Sequence, residues 1–185
     1  MAIDCGNFIL AAPPGTSPGW ALKVLKKTKD SGCDVILPFT EKHLGQKNKP
    51  LVSFVRHPCT WLACVGDMVC SRDFPFVGLP FCMGDLKHTH LDSFLLCMAE
   101  EHKGVVTEFF DGYKAEIVIR YEDMPEAFFS FLESVSFPIE EAVPSRGTLP
   151  YHSSIWNTKR HLHNWIVENE RDFCDRYDYF PKGES

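Results

Sequence analysis

The sequence predicts an α/β protein, a central parallel sheet flanked by helices, and three observations carry that prediction. Four short apolar runs, at 8–12, 33–37, 51–55 and 115–119, are separated by longer stretches in which apolar residues recur at helical spacing. The run 51–55 is apolar at four of its five positions instead of alternating, the pattern of a strand covered on both faces. Connections between runs and helices are short, which implies right-handed crossovers between parallel strands.

The first run, Phe8-Ile9-Leu10-Ala11-Ala12, breaks into Pro13-Pro14-Gly15-Thr16-Ser17-Pro18-Gly19 and then into an amphipathic pattern with Leu22 and Leu25 apolar and Lys23, Lys26 and Lys27 polar. This predicts a strand, a tight loop and a helix over 20–29 that stops near Ser31-Gly32. A second strand over 33–37 is closed by Pro38, and the polar, basic stretch 40–50 reads as a loop or a short helix. The third strand, 51–55, stops at Arg56-His57-Pro58. From Pro58, allowed in a first helical turn, Trp61, Leu62, Val65, Met68 and Val69 recur at helical spacing.

Residues 72–88 are rich in Phe, Gly and Pro without periodicity and read as an irregular aromatic loop, a lid or substrate wall. Helices follow over 91–102 and 105–113, then a strand over 115–119, the turn Arg120-Tyr121-Glu122-Asp123 and a helix over 125–135. An irregular linker covers 138–150, and one long amphipathic helix over 155–177 closes the pattern.

Composition bounds the function. With 185 residues the chain fits one domain, 1–185, and its 44% hydrophobic content is ordinary for a globular core. A net charge of −6 argues against general nucleic-acid binding but leaves room for a basic pocket around one anionic ligand. No run of 18 apolar residues spans a membrane, and Asp4 interrupts any basic-then-apolar leader, so a cytoplasmic protein is expected. The eight cysteines lie in apolar runs without a C-x-x-C pair; reduced thiols packing as small hydrophobes fit better than a disulfide framework or a zinc site. The pairs His88/His90 and His161/His163 fit solvated histidines better than metal ligands. No oligomeric state is readable.

A strand–loop–helix junction gathers free N–H groups at the positive end of a helix, the usual way of holding a phosphate; the alternative is a plain strand-to-helix turn. In parallel sheets ligands lie beyond the carboxyl ends of the strands. That rule brings the loop 13–19, the segment 40–43, Arg56 and the turn 120–123 to one rim. Within that turn Asp123 reads as a cap on the following helix in preference to pairing with Glu122 for acid–base work.

Several of these pieces together resemble the sulfotransferase family, whose members use 3′-phosphoadenosine 5′-phosphosulfate (PAPS). Val55-Arg56-His57-Pro58 is similar to the family's V-R-[ND]-P turn, and Ile119-Arg120-Tyr121-Glu122-Asp123-Met124 to its R-Y-E-D-[LM] segment. The helical stretch from Gly104 to Tyr113, then Phe131-Leu132 and the closing Asp172-Phe173 and Tyr177-Asp178-Tyr179, follow in the family's order across nearly the whole chain. The resemblance implies a three-layer α/β fold like that of P-loop nucleotide kinases, with about five parallel strands. It also implies a metal-free transfer of a sulfuryl group from PAPS, as co-substrate, to a hydroxyl or amine of a small molecule or glycan.

Carried over residue by residue, the resemblance makes Pro14, Gly15, Thr16, Ser17, Pro18, Gly19 and Trp20 the binding loop for the 5′-phosphosulfate. Gly15 and Gly19 would admit the phosphate to the backbone, and Thr16 and Ser17 would add hydroxyl donors. Arg56 matches the arginine that forks onto the 3′-phosphate; its alternative is a salt-bridged strand end. Cys64 stands where the family has a serine partner to that phosphate, and a thiol donates weakly. Arg146 and Gly147 occupy the place of a basic loop closing over the same phosphate, or of a plain surface linker. The general base is expected at Glu41, with His43 second, unless both are solvated loop residues.

One departure from the family stands out. Its first loop carries a Lys or Arg at the position of Pro14, and no basic residue lies between Met1 and Lys23. Either Lys23, Lys42 or another side chain reaches in, or the protein binds PAPS or adenosine 3′,5′-bisphosphate without turnover. A nucleotide kinase is a further alternative, disfavoured because no G-x-x-x-x-G-K-[ST] pattern is present.

Overall fold

The computed structural model describes residues 2–26, 33–36, 49–70, 90–139 and 159–180. They fall into two units: Met1–Arg56 with Tyr113–Leu149, and His57–Gly112 with Pro150–Ser185.

The first unit is an α/β layer whose strands are β1 (Ala2–Asp4), β2 (Ile9–Ala11), β3 (Asp34–Ile36), β4 (Leu51–Val55) and β5 (Ile117–Arg120). Their order across the sheet is β3-β1-β2-β4-β5. β2, β4 and β5 are parallel neighbours, whereas β1 runs antiparallel to both β2 and β3. The sheet is therefore mixed, and the expectation of a purely parallel sheet is corrected.

The cause is local. A turn at Cys5-Gly6-Asn7 returns the chain directly, and strands joined by so tight a turn can pair only antiparallel. Gly6 has φ +76°, its N–H donates to Asp4 Oδ1, and Cys5 N donates to Phe8 O. Such a left-handed position suits glycine. Lys49 seals the hairpin by binding Asp4 at 2.7 Å.

Side chains alternate across the sheet as the period of two requires. Ile3, Phe8, Leu10, Val52, Phe54 and Ile119 share one buried face with Trp20, Ala21, Val24 and Leu25 of α1 (Pro18–Lys26). The same face takes Phe128, Phe131 and Leu132 of α2 (Glu126–Ser134 in chain position, after β5). Phe128 packs edge-on to Phe54 at 5.2 Å, and Phe131 edge-on to Phe8 at 5.0 Å. Each such pair contributes about 0.5–1.5 kcal/mol beyond area burial. The opposite face carries Ala2, Ile9, Ala11 and Leu51, with Tyr113 and Ala115 packed against them.

The second unit is helical throughout its described residues: α3 (Pro58–Cys70), α4 (Leu91–Glu101), α5 (Val105–Asp111), α6 (Arg160–Asn169) and α7 (Arg171–Arg176). Gly66 lets α3 approach α4 closely: a Cβ there would meet Leu91 Cδ1 at 2.5 Å and Phe94 Cδ1 at 2.7 Å. Trp61, fully buried, packs against Phe109 and Phe110, and Phe110 in turn against Phe173. Asn169 Nδ2 ties α6 to the Ala99 carbonyl at 2.7 Å. The expected single closing helix is broken between α6 and α7 at Glu170, which has φ −112° and ψ 26°. The break carries the Glu170 side chain into the interior, 2% exposed. Among the described residues no helix is long and apolar enough to cross a membrane.

Candidate functional site

The first unit brings two of the sequence-predicted elements into direct contact. β2 ends at Ala11, and the chain runs through Ala12, two prolines and Gly15 into α1, which begins at Pro18 instead of the expected Trp20. Two successive reversals shape the loop: Gly15 at φ +79° and Ser17 at φ 59° are both left-handed. Pro18 is in place for a helix start, its φ already suited to the first turn and its missing N–H not needed there.

The hydrogen bonds of the loop are divided. Thr16 is fully buried, and its Oγ1 donates to Pro13 O at 2.6 Å while its N–H donates to the same carbonyl. Ser17 O accepts from Trp20 N and Ala21 N, closing the first helical turn. The N–H groups of Gly15, Ser17 and Gly19 donate to no group among the described residues. The first turn of α1 also contains no acidic residue. Unpaired amides in and just before the first turn of a helix, with no acidic side chain in that turn, are groups able to bind an anion.

Arg56, the residue after β4, is 2% exposed. Its Nη1 donates to Gly15 O at 2.7 Å, and its guanidinium lies over the Tyr121 ring, 4.5 Å from the centroid. A buried cation from the neighbouring strand thus sits against the loop carbonyl. Tyr121 opens a single 3-10 turn, Tyr121–Asp123, directly after β5. Arg120 donates from Nε and Nη2 to the two oxygens of Asp123, at 2.7 and 2.8 Å. That bond holds the Asp123 carboxyl below its ordinary value. The expected capping role is corrected: α2 has Pro125 at its N-cap without a side-chain bond, and Asp123 clamps Arg120 instead.

Two residues of the predicted binding segment make contacts within the fold. Trp20 is a core side chain, 5.9 Å from Phe128 and 6.0 Å from Phe129 between ring centroids, because helical periodicity turns it toward the sheet. The Thr16 hydroxyl is committed to Pro13 O and braces the turn. Gly19 is exposed, and a Cβ there would meet nothing within 4 Å, so no contact within the described residues requires glycine. Pro14 is half-buried. Cys64 lies half-buried in α3, a residue of the second unit. Glu41, Lys42, His43, Arg146 and Gly147 lie outside the described residues, as do the aromatic stretch 72–88 and the linker 140–150.

Sequence reasoning missed Glu170. Its carboxylate accepts from Val106 N and Thr107 N, both at 2.9 Å, and from Thr107 Oγ1 at 2.6 Å, at the start of α5. Burial pushes its pKa up, against the lowering effect of these three bonds. No motif signals such a contact, since 63 residues separate Glu170 from Thr107. In the same unit His57 stacks on His163 at 5.8 Å and meets Tyr179 edge-on at 5.2 Å. Among the described residues, Cys97, Glu101 and His102 bring one ligand atom each within 4.8 Å of the others, a group able to hold a metal ion.

No family model, no curated protein and no solved structure matches the chain.

Proposed function

We propose that the chain is a sulfotransferase-like protein that binds PAPS at the loop 13–20 and passes its sulfuryl group to a hydroxyl or amine acceptor. The observation that supports it most is the rim at the carboxyl ends of three adjacent parallel strands. β2, β4 and β5 deliver there, in order, a loop with open amides, a buried arginine bonded to that loop, and the Tyr121 ring beneath the guanidinium. The rule for ligands in parallel sheets leads to the same edge. On this reading the fold is a divergent relative of the P-loop nucleotide kinases, with β1 inserted beside the loop strand.

Transfer needs few parts. The acceptor oxygen or nitrogen attacks sulfur in line, the bond from sulfur to the bridging oxygen breaks, and the electron pair leaves on adenosine 3′,5′-bisphosphate. Loop amides and the Arg56 charge would steady the anion as it develops. The acceptor proton goes to a base, which we assign to Glu41, with His43 as the second candidate. The seven described cysteines are free thiols, in keeping with a reducing compartment such as the cytoplasm.

A second reading, a module that binds PAPS or the bisphosphate without turnover, is favoured by two observations. Pro14 stands where the family has a cation, and the Arg56 guanidinium is already engaged with Gly15 O and Tyr121. Calorimetry with adenosine 3′,5′-bisphosphate tests what the two readings share. Binding is expected, weakened at least about tenfold in Arg56→Lys, which keeps the charge but loses the fork. Absent binding, with ATP and magnesium bound instead, rejects both. Turnover of sulfur-labelled PAPS across alcohol, phenol and amine acceptors then separates enzyme from binding module.

A further inference from the structure

The antiparallel register of β1 on β3 pairs Ala2 with Ile36, Ile3 with Val35 and Asp4 with Asp34. One further step along the same register sets Cys5 opposite Cys33. The two thiols are engaged by a side-chain hydrogen bond, and Cys5 also reaches the Ile3 carbonyl, 3.8 Å from its Sγ. Directly opposed residues of an antiparallel pair have Cα atoms about 4.5–5.5 Å apart, inside the span of about 4.4–6.8 Å that a disulfide bridges. Neither cysteine is absorbed by the candidate site, and both are reduced in this structure.

We propose that Cys5 and Cys33 form a thiol pair that closes to a cross-strand disulfide on exposure to a small-molecule disulfide such as oxidised glutathione. The two thiols differ in access: Cys5 is 4% exposed, whereas Cys33 is half-buried. The hydrogen bond that Cys5 shares with Cys33, together with burial, holds the Cys5 thiol far above the ordinary thiol range, and the more accessible Cys33 reacts first. The Cys33 thiolate attacks one sulfur of glutathione disulfide; a Cys33–glutathione sulfur bond forms, the glutathione S–S bond breaks, and one glutathione leaves with the electron pair. With the Cys33 thiol consumed, Cys5 gives its proton to water and attacks the Cys33 sulfur; the Cys5–Cys33 bond forms, the Cys33–glutathione bond breaks, and the second glutathione leaves with the electron pair and takes up a proton. Two protein thiols are oxidised by two electrons and one glutathione disulfide is reduced to two thiols. The bond ties β1 to β3 and closes a ring around β2, the loop 13–17 and α1, the segment that carries the candidate anion cradle.

The test is peptide mapping of the full chain equilibrated in glutathione redox buffers, alkylated and digested with trypsin without reduction. The expected product links the peptide 1–23 to the peptide 30–42. It should be lost on adding dithiothreitol, and in Cys5→Ala the Cys33 peptide should carry one glutathione instead. Recovery of wild-type Cys33 as a glutathione adduct, paired with another cysteine, or alkylated throughout the series would overturn the proposal. Because the decisive measurement uses the unaltered chain, it holds whether or not Cys5→Ala folds.

Discussion

Two helix starts in this protein face the same electrostatic problem and solve it differently. At α5 the first amides are met by the chain itself: the Glu170 carboxylate takes Val106 N, Thr107 N and the Thr107 hydroxyl. At α1 the amides of Gly15, Ser17 and Gly19 meet no acceptor among the described residues, and a buried cation, Arg56, lies against the Gly15 carbonyl. A helix start favours negative charge in either case. The first is filled from within, at the cost of burying a carboxylate; the second, on the proposed reading, is where an anion from outside would dock. This contrast separates a structural helix start from a candidate binding one more sharply than either sequence does.

The largest test removes the internal anion. Glu170→Ala leaves two N–H groups and a hydroxyl without their acceptor, and a loss of about 4 kcal/mol in urea denaturation is expected. Arg56→Ala, the matching change at the other helix start, empties a buried volume and orphans Gly15 O. A loss of about 3 kcal/mol is expected there. A change of less than about 1 kcal/mol would mean that Arg56 does not brace the loop.

Smaller effects refine the picture. Gly15→Ala, at φ +79°, should destabilise by about 1 kcal/mol, since a Cβ is disfavoured in the left-handed region. Glu170 should also leave a signature in pH. Its raised pKa means that the folded protein holds the proton more tightly than the unfolded chain does. Its contribution is therefore greatest below the ordinary glutamate value of 4.5 and is lost as pH rises through the raised value. Urea midpoints measured across that range should fall with rising pH in wild type more steeply than in Glu170→Gln. The smallest effect on stability is the most telling about function. Gly19→Ala meets no steric obstacle in the first turn of α1 and should raise stability slightly, by about 0.5 kcal/mol. If the bisphosphate docks on the loop, the same change should still weaken binding at least about tenfold, read by calorimetry.

Much of the framework was legible from local pattern. The buried run at Leu51–Val55 and the helix opening at Pro58 fall where the pattern puts them, and the strand leading into Tyr121 is displaced by two residues at its start and one at its end. Helical spacing, proline placement and uninterrupted apolar runs act over a few residues, so they can be read without the fold. The hairpin strand β1 was not legible, because three residues carry too little periodicity and only pairing with β2 and β3 makes them a strand. The broken closing helix was missed for a similar reason: periodicity runs through Glu170, and only the distant amides of Val106 and Thr107 draw its carboxylate inward.

By itself, the sequence determined that a strand would run into a Pro- and Gly-rich loop and then a helix, since the residues responsible are neighbours and their conformational preferences are local. It determined too that an arginine would end the strand at 51–55. The direction of that arginine, toward Gly15 and over Tyr121, was decided only by the tertiary structure, as were the pairing of β1 with β3 and the meeting of Cys5 with Cys33 at its end. Those contacts join residues 28 to 65 positions apart. Their free energy exists only after the sheet has brought the strands together, so no local pattern records it.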